Sequence, residues 1–149
     1  MKRRILLADD DVAVLLTLKT VLEMDGFEVE TASSAAEAIQ KLDSGVYQMV
    51  ITDMRMENDD AGSHVIRAAR RQQYDPATAV LTAYPPQNGE WKRDGAQSLL
   101  VKPVGIQDMV RQLEALLVSH EDEKQGRKAQ SADIPAKHGP GRSPQGKAS

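Results

Sequence analysis

The sequence predicts an α/β fold, a three-layer (βα)5 sandwich in which one parallel sheet is covered by helices on both faces. Three observations carry this. Short apolar runs alternate with segments of helical periodicity through the first 118 residues. The runs Ile5-Leu6-Leu7-Ala8 and Met49-Val50-Ile51 are continuous rather than alternating, as in strands buried on both faces. Four of the strand-like runs end on a residue able to do chemistry: Asp9, Asp53, Thr82 and Lys102.

Ile5 to Ala8 reads as the first strand and runs into Asp9-Asp10-Asp11. Val14, Leu15, Leu18 and Leu22 then share one helical face. Asp11 suits that helix's N-cap, and Gly26 suits its exit. Phe27-Glu28-Val29-Glu30 alternates, which suggests a half-exposed or edge strand. Ser34 and Glu37 form an S-x-x-E capping box ahead of Ala35, Ala38, Ile39 and Leu42, and Gly45 closes the second helix.

Met49 to Thr52 is the third strand, ending on Asp53. An acidic loop, Glu57-Asn58-Asp59-Asp60-Ala61-Gly62, leads to a third helix carrying Val65, Ile66 and Ala69, with Arg67, Arg70 and Arg71 toward its end. Pro76 precedes the fourth strand, Ala79 to Ala83. Tyr84-Pro85-Pro86-Gln87-Asn88-Gly89 is a break, and Glu90 to Asp94 allows at most a short helix. Ser98-Leu99-Leu100-Val101 is the fifth strand, followed by Lys102-Pro103. Ile106, Met109, Val110, Leu113, Leu116 and Leu117 mark an amphipathic fifth helix. Strict strand–helix alternation implies a parallel sheet, and five strands in this length fit the flavodoxin-like order 2-1-3-4-5.

The composition bounds the function. The chain has 149 residues and no cysteine, which excludes disulfides and thiolate chemistry. No apolar run approaches the roughly 18 residues of a membrane span, and the N-terminus lacks the pattern of a signal peptide, so a cytoplasmic protein is expected. Residues 1–118 hold 13 basic and 18 acidic side chains, a net charge of −5, while residues 119–149 hold 6 and 4, a net of +2. The acidic part argues against direct DNA binding. From Ser119 onward Ile134 is the only large apolar residue, so 119–149 is expected to be a disordered basic tail on a 1–118 domain. His64, His120 and His138 lack the spaced partners of a zinc site.

In the 2-1-3-4-5 order the first and third strands are neighbours, so Asp9, Asp10 and Asp53 cluster. At about 4 Å and an effective dielectric near 20, each carboxylate pair costs roughly 4 kcal/mol. A hard divalent cation relieves that repulsion, and Mg²⁺ favours a few carboxylates with water and phosphate oxygens. A carboxylate beside such a cation can take a phosphoryl group, with Lys102 as a counter-charge and Thr82 as a hydroxyl donor.

On Ile5-Leu6-Leu7-Ala8-Asp9-Asp10-Asp11, Val50-Ile51-Thr52-Asp53-Met54, Val80-Leu81-Thr82-Ala83 and Val101-Lys102-Pro103, the chain resembles the receiver domain of two-component response regulators. The resemblance covers about residues 1–118. It implies that Asp53 is the phosphoacceptor, supplied by a sensor histidine kinase or a histidine phosphotransfer protein. It implies that Mg²⁺ is held by Asp9, Asp10, Asp53 and the backbone carbonyl of Arg55. Thr82 and Lys102 would contact the phosphoryl group. Such a protein is a signalling switch with only self-catalysed phosphotransfer and dephosphorylation. It acts on a downstream protein target, and a phosphorylation-dependent dimer is a further form the family allows.

The chain departs from the family pattern in places. The proline expected four residues after the phosphoacceptor is Glu57, and Gly62 comes one residue late. Leu99 stands at the usual aromatic switch position. Arg55 and Tyr84 occupy the positions that tune phosphate lifetime, and their bulk suggests shielding of the acyl phosphate from water. These departures favour, as the alternative, a receiver-like binding module that works without phosphorylation. A phosphohydrolase with the same chemistry would want an acid at position 55, where the chain has arginine.

Overall fold

The computed structural model describes residues 2–83, 89–102 and 105–137, with the side chains of 90, 106 and 129–137 outside that description. Two compact units are present, Met1–Leu117 and Val118–Ser149.

The first unit is built on five parallel strands: β1 (Arg4–Ala8), β2 (Glu28–Ala32), β3 (Met49–Thr52), β4 (Ala77–Thr82) and β5 (Ser98–Val101). Their order is β2-β1-β3-β4-β5, the expected flavodoxin-like arrangement. β3 and β4 are buried along their whole length. β2 starts one residue later than its alternation suggests and runs further, because its pairing with β1 extends to Ala32 opposite Ala8. β4 begins at Ala77, directly after Pro76, where its pairing with β3 starts.

The helices are α1 (Val12–Met24), α2 (Ala35–Ser44), α3 (Ala61–Arg70), the single turn α4 (Glu90–Arg93) and α5 (Ile106–Lys137). Alternating strand residues feed two core layers. Ile5, Leu7, Met49, Ile51 and Leu81 pack with Leu15 and Leu22 of α1 and Met109, Leu113 and Leu117 of α5. Leu6, Ala8 and Val50 pack with Ala38 and Leu42 of α2 and Val65 and Ala69 of α3. A smaller cluster joins Met54, Ile66, Val80 and Ala96, with Trp91 and Leu99 against it, so Trp91 is a packing residue.

Local chemistry sets the helix ends. The Asp11 carboxylate accepts hydrogen bonds from the amides of Ala13 at 2.9 Å and Val14 at 3.4 Å, as an N-cap should. Past Asp25 the chain turns through Gly26 at φ +99°, a conformation that favours glycine. Ser34 Oγ accepts from Glu37 N at 3.1 Å. The Glu37 carboxylate reaches back to the amide and hydroxyl of Ser33, one residue further than in the usual capping box.

One sequence expectation is corrected. Helix α5 does not stop near 118: residues 119–137, expected to lack structure, are helical. This stretch contains strong helix formers such as Glu121, Lys124, Arg127 and Lys128, with a Glu123–Arg127 pair at 3.9 Å. The helix-breaking Gly and Pro concentrate from Gly139 onward. Arg67, near the end of α3, pairs with a buried acid. Its Nε and one terminal nitrogen both lie 2.9 Å from Oδ1 of Asp94, a carboxylate with 4% side-chain exposure. The readings made at Tyr84, Pro85-Pro86, Pro103 and His138 lie outside the described residues.

Candidate functional site

The site forms where three strands end together. Asp9, Asp53 and Lys102 each sit one residue past a strand, and each continues the ladder by one rung. Asp9 N donates to Ala32 O at 3.1 Å, Asp53 N to Ala8 O at 2.8 Å, and Lys102 N to Thr82 O at 2.8 Å. The backbone ladder therefore sets the spacing of the side chains before any of them interact.

Carboxylate oxygens of Asp9, Asp10 and Asp53 lie within 4.8 Å of one another. Asp9 is buried at 1% exposure, Asp53 is nearly so at 9%, and Asp10 faces solvent. Lys102 bridges the two buried acids, with Nζ 2.7 Å from Asp9 Oδ2 and 3.3 Å from Asp53 Oδ2. Asp9 Oδ1 also accepts the amide of Asp11 at 3.0 Å. One carboxylate thus anchors the lysine and orients the start of α1. Thr82, the last residue of β4, is buried at the same end of the sheet. Arg55 is exposed, and its backbone amide hydrogen-bonds the Asp53 carboxylate.

Burial and the neighbouring Asp9 charge raise the Asp53 carboxyl from its ordinary value, against the opposing pull of Lys102 and the Arg55 amide. Burial alone would lower the Lys102 ammonium, but its bonds to Asp9 and Asp53 prevail and raise it. An apolar groove of about 510 Å³, lined in part by Val14, Leu18, Leu81 and Met109, borders Lys102 and keeps that side of the site poor in polar groups.

The donors suit a hard divalent cation: three carboxylates converge, all oxygen, one of them open to solvent. The arrangement is able to hold such a cation and to present one carboxylate, Asp53, to an electrophile. Asp9, Asp10, Asp53 and Lys102 are brought together as side chains, and Thr82 and Arg55 flank them. His64 stands apart on α3, 3.5 Å from Asp60.

Two features escaped sequence reasoning. Glu57 binds the start of α2, and the only hint was its replacement of an expected proline. Gly62 lies against the backbone beyond Asp53: a Cβ there would stand 2.4 Å from Asp53 O and 2.5 Å from Met54 Cα. That approach needs glycine, and the Gly62 amide donates to Met54 O at 2.8 Å.

Residues 5–114 match the response regulator receiver domain family. Among curated relatives, the CpxR homolog of Haemophilus influenzae, a transcriptional regulatory protein, is 32% identical over 120 residues, which cover 76% of this chain and 50% of that protein. The transcriptional regulatory protein PrrA of Mycobacterium tuberculosis is 34% identical over 116 residues, covering 76% and 49%. The chain thus spans about half the length of these relatives. Among solved structures, a CheY-like receiver domain protein from Methanospirillum hungatei superposes with a TM-score of 0.77 at 27% identity, covering 83% of this chain and 99% of the other. The response regulator TrrA of Thermotoga maritima, solved in complex with Mg²⁺–BeF, gives 0.69 at 30% identity, covering 76% and 98%.

Proposed function

Because the chain belongs to the response regulator receiver domain family, whose members are signalling switches, we propose that it accepts a phosphoryl group on Asp53 and signals through that modification. The observation that carries this reading is the convergence of Asp9, Asp10 and Asp53 within 4.8 Å, with Lys102 bridging two of them.

A carboxylate oxygen of Asp53 attacks phosphorus, the bond from phosphorus to the donor breaks, and an acyl phosphate forms. The donor is the phosphohistidine of a sensor histidine kinase or of a histidine phosphotransfer protein. Asp53 attacks in its charged form. Lys102 exchanges its contact with Asp53 for a contact with the phosphoryl oxygens, while Asp9 keeps it in place. Thr82 donates its hydroxyl to a phosphoryl oxygen. Asp9, Asp10, Asp53 and the Arg55 carbonyl would hold Mg²⁺, which would supply positive charge to offset that of the carboxylates and of the phosphoryl oxygens. The Mg²⁺–BeF complex of the TrrA relative supports this choice of cation. The output is a contact with a downstream protein target.

Incubation with acetyl phosphate and Mg²⁺, followed by intact-mass spectrometry, tests the proposal. One added phosphoryl group is expected on the wild type and none on Asp53→Asn. No addition, or addition that survives the substitution, rules it out.

A second reading, a binding module indifferent to phosphorylation, draws on Leu99 at the aromatic position and on the single turn of α4. Equal affinity for a partner before and after phosphorylation would favour it. The phosphohydrolase reading is weaker, because Arg55 is an exposed cation where a general acid is needed.

A further inference from the structure

Glu57 lies four residues past Asp53, in the loop between β3 and α3, yet its carboxylate is bound to a different element. Both of its oxygens lie 2.9 Å from the amide of Ala35, and Oε2 is also 3.4 Å from the amide of Ala36. These are amides of the first turn of α2, which have no partner within the helix and carry the positive end of its dipole. The next amide, of Glu37, is taken by Ser34 Oγ. The start of α2 is therefore closed by two groups, one local and one from the loop after the phosphoacceptor.

Burial works against the charged form of Glu57. The amides of Ala35, of Glu57 itself and of Ala36, with His64 nearby, overcome this and hold its carboxyl below the usual value. The bond spans 22 positions in sequence, so it is a tertiary tie and not a turn.

The loop so tied is the one that carries the site. At its far end Gly62 clamps the backbone of Asp53 and Met54. Arg55 lies between the clamp at Met54 and the tie at Glu57. The loop also holds Asp59 and Asp60, so a loose Glu57 would add a third negative charge near a site that receives a phosphoryl dianion.

We propose that Glu57 is a positioning residue for the cation and phosphoryl site: by binding the first amides of α2 it fixes the loop that carries Arg55, and it keeps its own charge away from Asp53. In this chain the carboxylate does by tertiary hydrogen bonding what a proline would do by stiffening the backbone. The inference rests on the function proposed above.

Calorimetric titration with magnesium alone tests it, with the wild type, Glu57→Ala, Glu57→Gln and Ser34→Ala compared. Glu57→Gln removes the charge but keeps an oxygen that accepts from Ala35. Ser34→Ala weakens the same helix end without touching the loop. Glu57→Ala is expected to weaken magnesium binding roughly tenfold, as substitutions of groups supporting metal ligands do. Glu57→Gln and Ser34→Ala should bind within about twofold of wild type. Amide hydrogen exchange at Ala35 and Ala36 should slow on adding magnesium to the wild type and not to Glu57→Ala.

Unchanged affinity in Glu57→Ala overturns the inference and leaves the proposed function standing. Equal weakening in Glu57→Ala and Glu57→Gln also overturns it, since charge alone then accounts for the effect. A wild type that binds no magnesium removes the proposed cation site and this inference together.

Discussion

At the scale of single residues, the centre of the site is one lysine between two acids. Asp9 is almost fully enclosed, and its Oδ2 depends on Lys102 at 2.7 Å. Removing one member of such a pair leaves a buried charge without compensation, which costs about 3 kcal/mol or more. Lys102→Ala is therefore expected to lower stability by about 3 kcal/mol in urea unfolding without divalent cation. Adding Asp53→Asn to that variant should recover part of the loss, because one of the two facing carboxylates is then neutral. A Lys102→Ala protein as stable as wild type would show that the bridge contributes nothing to the fold. The placement of Asp9, Asp53 and Lys102 at strand ends was legible because each follows directly on an apolar run. The bond from Lys102 to Asp9 was not, because it spans 93 positions and no local pattern reports it.

At the scale of elements, α2 shows how much of one helix end is local. Ser34 and Glu37 were readable from spacing alone, and the structure adds the reach of Glu37 to Ser33. The amide of Ser33 is the largest influence on the Glu37 carboxyl and, with the Ser33 hydroxyl and Lys41, holds it below its usual value against burial. A carboxyl lowered in the native state contributes stability that is present in full above its unfolded value, and that is lost as pH falls through the native one. The stability gap between wild type and Glu37→Ala should thus be present at neutral pH and close as pH falls below about 4. Ser34→Ala should cost about 1 kcal/mol at every pH in the same thermal melts. A gap for Glu37→Ala that does not change with pH would remove the charge from the cap. Helix α5 teaches the reverse lesson. Its apolar stripe ends near Leu117, but the backbone stays helical on to Lys137, through Gly126 and Pro135.

At the scale of the whole unit of residues Met1–Leu117, one sheet serves two core layers. Leu7 faces α1 and α5, and Leu6, its neighbour in β1, faces α2 and α3. Both are fully buried. Leu6→Ala and Leu7→Ala are each expected to cost about 3 kcal/mol. Each should shift a single unfolding transition monitored together by circular dichroism and Trp91 fluorescence, because neither layer keeps its strands without the other. Separate transitions in either variant would mean that the layers fold independently.

The strand order, the two core layers and the residues at the strand ends were readable from the amino-acid sequence. These follow from apolar periodicity and parallel connection rules, which act over a few residues or between successive elements. Which side chains touch was set by the packing of separate elements: Lys102 to Asp9, Arg67 to Asp94, and Glu57 to the amides of Ala35 and Ala36. Those choices depend on where separate elements come to rest against one another. A charged side chain binds whichever unpaired group the packing brings within about 3 Å, and local sequence carries no record of that distance.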